Sequence, residues 1–413
     1  MTGPGDTDRC PAWRPLEGRT VVFGLTGGIA ASKAVEYARG LRGLGARVVP
    51  VLTPAAVHFV TPLAVAALTG ERARTDLLDS RDAAEVPHIR LAREADIVVV
   101  APATADFMAK AAAGLADDLL GAVLLSTRAP VLFCPSMNPA MFDHPATRAN
   151  IRRLESFGHQ VLEPGEGGTA CGEEGRGRLA AWPAFEDAVL ACLAPKDLAG
   201  LAVLVTAGPT REPLDPVRYL SNRSSGRMGF AMARSARRRG ADVTLVAGPT
   251  TEPPPPGIPC HRVETAAEMA ERVFSLAPAA DVIVMAAAVS DFAPSAPSDR
   301  KIKKSDTEHL ELRLERTTDI LADLSRRRRP GQTLVGFCAE THDLEAEARE
   351  KLRRKGLDLL VGNDVTDPES GFDVPTNRVV LVDPEERVEH LPLMPKTAVA
   401  EAVWDRIAAL RRV

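Results

Sequence analysis

The sequence predicts two tandem three-layer α/β domains, each built on a mainly parallel, Rossmann-like sheet. Three observations carry this. The opening run "TVVFGLTGGIAASKAVEYARGLRGLGARVVPVLTP" reads as strand, glycine turn, helix and strand, which is a βαβ unit. Two apolar runs, "ADIVVVAPATAD" (95–106) and "ADVIVMAAAVSD" (280–291), echo each other. Neither run alternates with polar residues, as expected for strands buried on both faces of a parallel sheet.

In chain order, Thr20–Leu25 is β-rich and apolar, Gly27-Gly28 makes a turn, and 29–44 reads as a helix ending near Gly45. Arg47–Leu52 is a second strand, 95–106 a third, and "APVLFCPSMNPAMF" (129–142) a fourth. The second half repeats the plan. "LAVLVTAGPT" (201–210) is a strand running into a Gly-Pro turn, and 224–250 reads as loop, helix and strand. "TEPPPPGIP" (251–259) is a stiff polyproline connector. The join falls around "LAPKDLAG" (193–200), giving expected domains of 18–194 and 195–413 after a leader, 1–17, expected to be disordered.

Composition narrows the function classes. A chain of 413 residues, 45% hydrophobic and 26% charged, has material for two or three folded cores. The net charge is −4 with no polybasic stripe, which argues against nucleic acid as a partner. The first residues lack the apolar segment of a secretory signal, and no window is long and apolar enough for a membrane span. Six scattered cysteines without a CxxC fit a reduced, cytoplasmic protein.

Four stretches offer chemistry. "GLTGGIA" is not GxGxxG, and the following strand ends at Thr53 with no acid for an adenosine ribose. This disfavours a dinucleotide and leaves either a mononucleotide phosphate at the helix start or a simple packing turn. His88 alone reads as a surface or core histidine more readily than as a base. "PSMNPAMF" puts Asn138 at a strand's carboxyl end between prolines, where it either caps a turn or holds a carboxylate or amide. Cys171, in the glycine-rich "TACGEEGRGR", is a small turn residue, a metal ligand without a partner set, or an accessible thiol on a closing flap.

The motifs "TGGIAASK", "HI", "APATAD", "PSMNPAMF" and "ACGEEGRGR", in that order, resemble the homo-oligomeric flavin-containing cysteine decarboxylases. The motifs "TAGPTREPLDPVRYLSNRSSGRMG", "AAAVSDF", "KIKK", "GFCAET" and "NDV" resemble phosphopantothenoylcysteine synthetase. Together, over about residues 18 to 410, the chain is similar to the bacterial bifunctional phosphopantothenoylcysteine decarboxylase / phosphopantothenate–cysteine ligase family.

That resemblance implies the two corresponding folds and a sequence of two reactions in coenzyme A biosynthesis. CTP activates 4′-phosphopantothenate as an acyl-cytidylate, with Mg²⁺ at the phosphates, and L-cysteine displaces CMP. FMN then makes loss of CO₂ possible by taking electrons from the thiol-bearing carbon and returning them afterwards. By matching positions, His88 is the base, Asn138 the carboxylate-orienting residue and Cys171 the proton donor. Gly27, Gly28, Ile29, Thr53, Thr104, Ala105, Asp106 and Ser136 match FMN contacts; Ser32 is a weaker phosphate candidate. Lys301 matches the lysine at the CTP phosphates, and Asp291 the acid near CTP and metal. Met285, Ala286, Ala287, Thr318, Asp319, Ile320, Leu321, Phe337, Lys351 and Lys355 match the rest of the CTP pocket, and Asn222 matches an Asn that contacts the acyl-cytidylate. Lys351 and Lys355, four apart on an expected helix, share one face. "TTDIL" and Cys338 depart from the common family pattern. The family also implies trimeric decarboxylase contacts and dimeric ligase contacts, together a dodecamer. Competing readings are a flavin reductase fused to a nucleotide-binding module, a regulatory subunit without catalysis, and a chain in which one half alone is active.

Overall fold

The computed structural model describes residues 13–78, 86–168, 172–303, 309–340, 342–364, 366–367, 369–371 and 373–411. The chain divides into two compact units, one spanning Arg14–Ala194 and the other beginning at Pro195.

The first unit carries a five-stranded, all-parallel sheet of order β2-β1-β3-β4-β5. Its strands are β1 (Thr20–Leu25), β2 (Arg47–Leu52), β3 (Ile97–Ala103), β4 (Val131–Pro135) and β5 (Gln160–Val161). Val22, Val49, Val98, Val100 and Phe133 fill a core on one face. Val21, Phe23 and Leu25 are equally buried, so the sheet is covered on both sides. The first helix, Ala31–Gly43, lies within the expected span. The third strand is shorter than 95–106, because Thr104 caps the helix Ala105–Ala113 by accepting from Phe107 N–H.

Two expectations change here. Residues 1–12 of the expected leader lie outside the described residues, but 13–17 do not behave as a leader. Pro15–Gly18 is a turn, and Leu16 is buried with its N–H bonded to Leu44 O at 3.1 Å. The segments on either side of 169–171 are paired strands rather than loop. β6 (Gly165–Gly168) and β7 (Glu174–Arg178) pair as an antiparallel hairpin.

The second unit carries an eight-stranded sheet of order β12-β11-β8-β13-β16-β17-β18-β19. It comprises β8 (Ala202–Ala207), β11 (Asp242–Ala247), β12 (Cys260–Arg262), β13 (Val282–Met285), β16 (Thr333–Glu340), β17 (Leu359–Asp364), β18 (Thr376–Val382) and β19 (Val388–Pro395). All neighbours pair parallel until β17, where the β18–β19 hairpin adds an antiparallel edge. Alternate residues of one strand enter different cores, Val203 and Val205 on one face and Leu204 on the other. Two small hairpins accompany this sheet: β9 (Arg211–Pro213) with β10 (Tyr219–Ser221), and β14 (Phe292–Pro294) with β15 (Leu314–Arg316).

The echoed "AD" motifs do the same job in both units. Asp96 accepts from Thr20 N–H at 2.7 Å and pairs with Arg19, tying the start of β3 to that of β1. Asp281 accepts from Ala202 N–H at 2.9 Å and pairs with Arg329, tying β13 to β8. The threonine that follows or ends the first strand is shared too. Thr26 bridges β1 to β3 by donating to Pro102 O and accepting from Thr104 N–H. Thr206 accepts from Ala287 N–H. The aspartates tie the starts of neighbouring strands and the threonines their carboxyl ends, where α/β folds hold ligands.

Candidate active sites

In the first unit, the segments following β1, β2, β3 and β4 enclose a cavity of ≈ 880 Å³, within the range of small-molecule sites. Gly27, Gly28, Ile29, Thr53, Thr104, Ala105, Asp106, Ser136 and Asn138 all line it. Gly27 is required by packing, since a Cβ there would stand 2.4 Å from the Ala55 Cβ. The turn leads into the helix Ala31–Gly43, whose amino end suits an anion. Ser32 is otherwise engaged, donating its hydroxyl to Ile29 O at 3.0 Å.

The walls fit a flat ring system bearing a phosphate. Ile29, Phe59 and Met141 present exposed apolar side chains to the cavity, Ile29 with 66% of its surface free. Sequence reading missed several walls: Lys33, Lys110, Asp117, Asp118, Met137 and Arg178. Lys110 bonds Asp117 at 3.0 Å and lies 3.7 Å from Asp106, which together raise its pKa. Burial pushes the Asp118 carboxyl upward. The signal for Asp117 and Asp118 was "ADDLL", which opens a helix capped by Asp118. Arg178 ends the "ACGEEGRGR" motif, and its place on the wall depends on the hairpin pairing.

Asn138 caps the short helix that follows it, accepting from Ala140 N–H. Its amide nitrogen donates to Glu173 Oε2 at 2.8 Å, so a carboxylate of the hairpin already sits on the expected carboxylate-orienting group. The hairpin is held down by Met137 N–H donating to Gly177 O at 2.8 Å. Cys171, between β6 and β7 in the chain, lies outside the described residues. His88 is not a wall of this cavity. It stands in the first turn of the helix Pro87–Glu94, half-buried, with a buried Nδ1 that has no hydrogen-bond partner among the described residues.

In the second unit, three turns meet backbone to backbone at the sheet's carboxyl end. A Cβ on Gly208 or Gly226 would lie 2.8 or 2.6 Å from Thr250 Cγ2, and one on Gly248 would lie 1.8 Å from Pro209 O. Gly226 has φ +79 and starts the helix Arg227–Arg238. Asn222 donates to Val289 O at 3.0 Å, joining "SNRSSG" to "AAAVSD". Thr317 joins "AAAVSD" to "TTDIL" through its N–H to Asp291 O and its hydroxyl to Ser290 O. Asp319 caps the helix Ile320–Arg327 and pairs with Lys355. Burial would raise the Asp319 carboxyl, but the Lys355 ammonium and the Ala322 N–H outweigh it and hold it low.

Met285 is buried, Ala286 and Ala287 partly so; Thr318 is exposed, Ile320 buried and Leu321 half-buried. Phe337 packs against the core beneath β16. Lys351 and Lys355 both fall on the helix Leu344–Lys355, as the spacing predicts. The Lys351 charge reaches Cys338, one residue past Phe337. Lys301 and Asp291 are exposed. Among the described residues no three or more His, Cys, Asp or Glu side chains cluster as a metal site, and no helix is long and apolar enough to cross a membrane.

Comparison with known proteins follows the same division. The family model described as Flavoprotein matches residues 11–194. The DNA/pantothenate metabolism flavoprotein C-terminal domain model matches residues 198–410. The coenzyme A biosynthesis bifunctional protein CoaBC of Mycobacterium tuberculosis (strain CDC 1551 / Oshkosh) is 45% identical over 406 residues, covering 94% of this chain and 96% of its own. That of Escherichia coli (strain K12) is 42% identical over 395 residues, covering 95% and 97%. A solved C-terminal domain of CoaBC is 37% identical over 52% of this chain and 97% of its own, with a TM-score of 0.45.

Proposed function

The chain belongs to the CoaBC family of bifunctional coenzyme A biosynthesis proteins, and from that premise we propose which half performs which step, and with which groups. It is a flavoprotein and a two-activity enzyme. We assign 4′-phosphopantothenoylcysteine decarboxylation to residues 18–194, and to residues 195–413 the ligation that makes this substrate.

The ligation comes first. The carboxylate of 4′-phosphopantothenate attacks the α-phosphorus of CTP and pyrophosphate leaves. The amine of L-cysteine then attacks the acyl carbon and CMP leaves. Lys301, Lys351 and Lys355 offset the phosphate charge, and Asp291 together with the phosphates would hold Mg²⁺, which would supply further positive charge there. Asn222, anchored on Val289 O, faces the acyl-cytidylate.

In the first unit, FMN when bound supplies an acceptor and then donor of two electrons, which direct loss of CO₂ from a cysteinyl carboxylate lacks. Gly27, Gly28 and Ile29 would meet its phosphate at the helix start, and Thr53, Thr104, Ala105, Asp106 and Ser136 would surround the remainder. Asn138 turns the substrate carboxylate into position once Glu173 releases its amide. His88 takes a substrate proton and Cys171 returns one. Since His88 does not line its own chain's cavity, the reading takes it from a second copy, in keeping with a trimeric arrangement.

The observation that carries the reading is the convergence of all eight expected FMN positions and Asn138 on one cavity. Its test is Cys171→Ser. The variant is expected to release CO₂ but stop at an oxidised, decarboxylated enethiol, identified by mass spectrometry. Full conversion to 4′-phosphopantetheine would remove Cys171 from the donor role.

A further inference from the structure

We propose that Asp215 is a positioning residue for Lys301, and thereby sets how well the second unit holds its nucleotide; the inference rests on the assignment of Lys301 to the CTP phosphates. Lys301 lies in a stretch without regular structure, 295–303, and is itself exposed. A long side chain on such a stretch would spread its charge over many positions. What fixes the backbone on either side of it is the turn that links β9 to β10.

Asp215 is 4% exposed. Its carboxylate accepts from the N–H groups of Val217 and Arg218 at 2.8 Å each, closing the turn on itself. It also accepts from Arg218 Nε at 3.0 Å and Nη2 at 2.6 Å. The fifth donor is Ile302 N–H at 3.2 Å, the residue next to Lys301. Arg218 Nη2 donates to Ile302 O at 2.9 Å, so both backbone polar groups of Ile302, in the two successive peptide units that flank its Cα, are taken up by one ion pair. Four residues earlier, Ser298 N–H donates to Leu214 O at 2.9 Å. Lys301 therefore sits between two anchors that both belong to the same turn. The Arg218 guanidinium, followed by the backbone N–H donors, holds the Asp215 carboxyl far below the usual range, so the clamp stays charged across all working pH.

Asparagine in place of Asp215 removes the charge that Arg218 matches and presents an N–H₂ to one of these donors. Hydrogen bonds to charged groups carry more than neutral ones, so loss of the clamp is expected to raise the KM for CTP roughly tenfold or more. The experiment measures steady-state ligation by intact Asp215→Asn, Lys301→Gln and the double variant, alongside decarboxylation of supplied 4′-phosphopantothenoylcysteine. The expected result is a raised KM for CTP in Asp215→Asn, with KM for cysteine and the decarboxylation rate unchanged. The double variant should be no worse than Lys301→Gln, because a residue acting through another adds nothing once that other is gone.

Additive losses in the double variant would overturn the proposal, as would an unchanged KM for CTP in Asp215→Asn. If Lys301→Gln itself uses CTP normally, the Lys301 assignment fails and the clamp does not serve it. If Lys301→Gln is impaired while Asp215→Asn is not, the clamp alone fails. Should Asp215→Asn not fold, Arg218→Lys keeps the charge while losing the bidentate fork. It must then raise the KM for CTP selectively, and a normal or uniform effect overturns the proposal.

Discussion

At Gly177 an added Cβ would lie 2.2 Å from the Met137 carbonyl oxygen. That is closer than any non-bonded pair tolerates, and the same glycine's carbonyl receives Met137 N–H. Gly177→Ala should therefore push the hairpin off the β4 turn and open the cavity. We expect it to purify with severalfold less flavin per protein than the wild type, by visible absorbance, with an unchanged far-ultraviolet circular dichroism spectrum. Cys338 is the other informative residue. Burial pushes its thiol up to about 11, so its thiolate is scarce at pH 8 and it should resist iodoacetamide until denaturant is added. Fast labelling of Cys338 in the folded protein would contradict the buried position. The sequence marked Cys338 only as a departure from a family pattern; its place in the core of Leu334, Val380 and Val382 appears only when strands are assembled. The cavity residues were legible through the family motifs, which stand in the segments after β1, β2, β3 and β4. Glu173 on Asn138 and Asp215 on Ile302 were not, since their partners lie 35 and 87 residues away.

Among elements, the tie between β8 and β13 makes a measurable claim. The Ala202 N–H first, then Arg329, lowers the Asp281 carboxyl pKa. A carboxyl lowered in the folded state contributes stability above its unfolded pKa and loses it as pH falls through the folded value. Asp281→Asn should destabilise the second unit by about 1–2 kcal/mol at pH 7, the pair being partly exposed. The gap to wild type should narrow as pH falls below about 4. Urea titrations at the two pH values check this, and a gap that widens in acid would contradict it. The parallel strands were legible as unbroken apolar runs. The hairpins were not: β6 is "GEGG", with no alternation to read, and β9 and β14 are three residues each. The β18–β19 edge lay beyond the motifs that drew attention to the second half.

For the whole molecule, the two units have separate sheets and separate cores. Expressed as 14–194 and 195–413, each should unfold cooperatively, and flavin absorbance should follow the first fragment alone. On the proposed reading, His88 reaches the cavity of a neighbouring copy. Mixing inactive His88→Asn and Asn138→Asp chains under conditions that exchange subunits should restore part of the decarboxylase rate. No recovery would mean that His88 and Asn138 serve the same cavity from one chain. The central claim is that one chain performs ligation and decarboxylation in turn. The most direct measurement supplies the flavin-loaded protein with 4′-phosphopantothenate, L-cysteine, CTP and Mg²⁺, and follows CMP, pyrophosphate and CO₂ together. The account predicts all three in equal amounts, with CO₂ lagging behind CMP. CMP without CO₂ from flavin-loaded protein would contradict it.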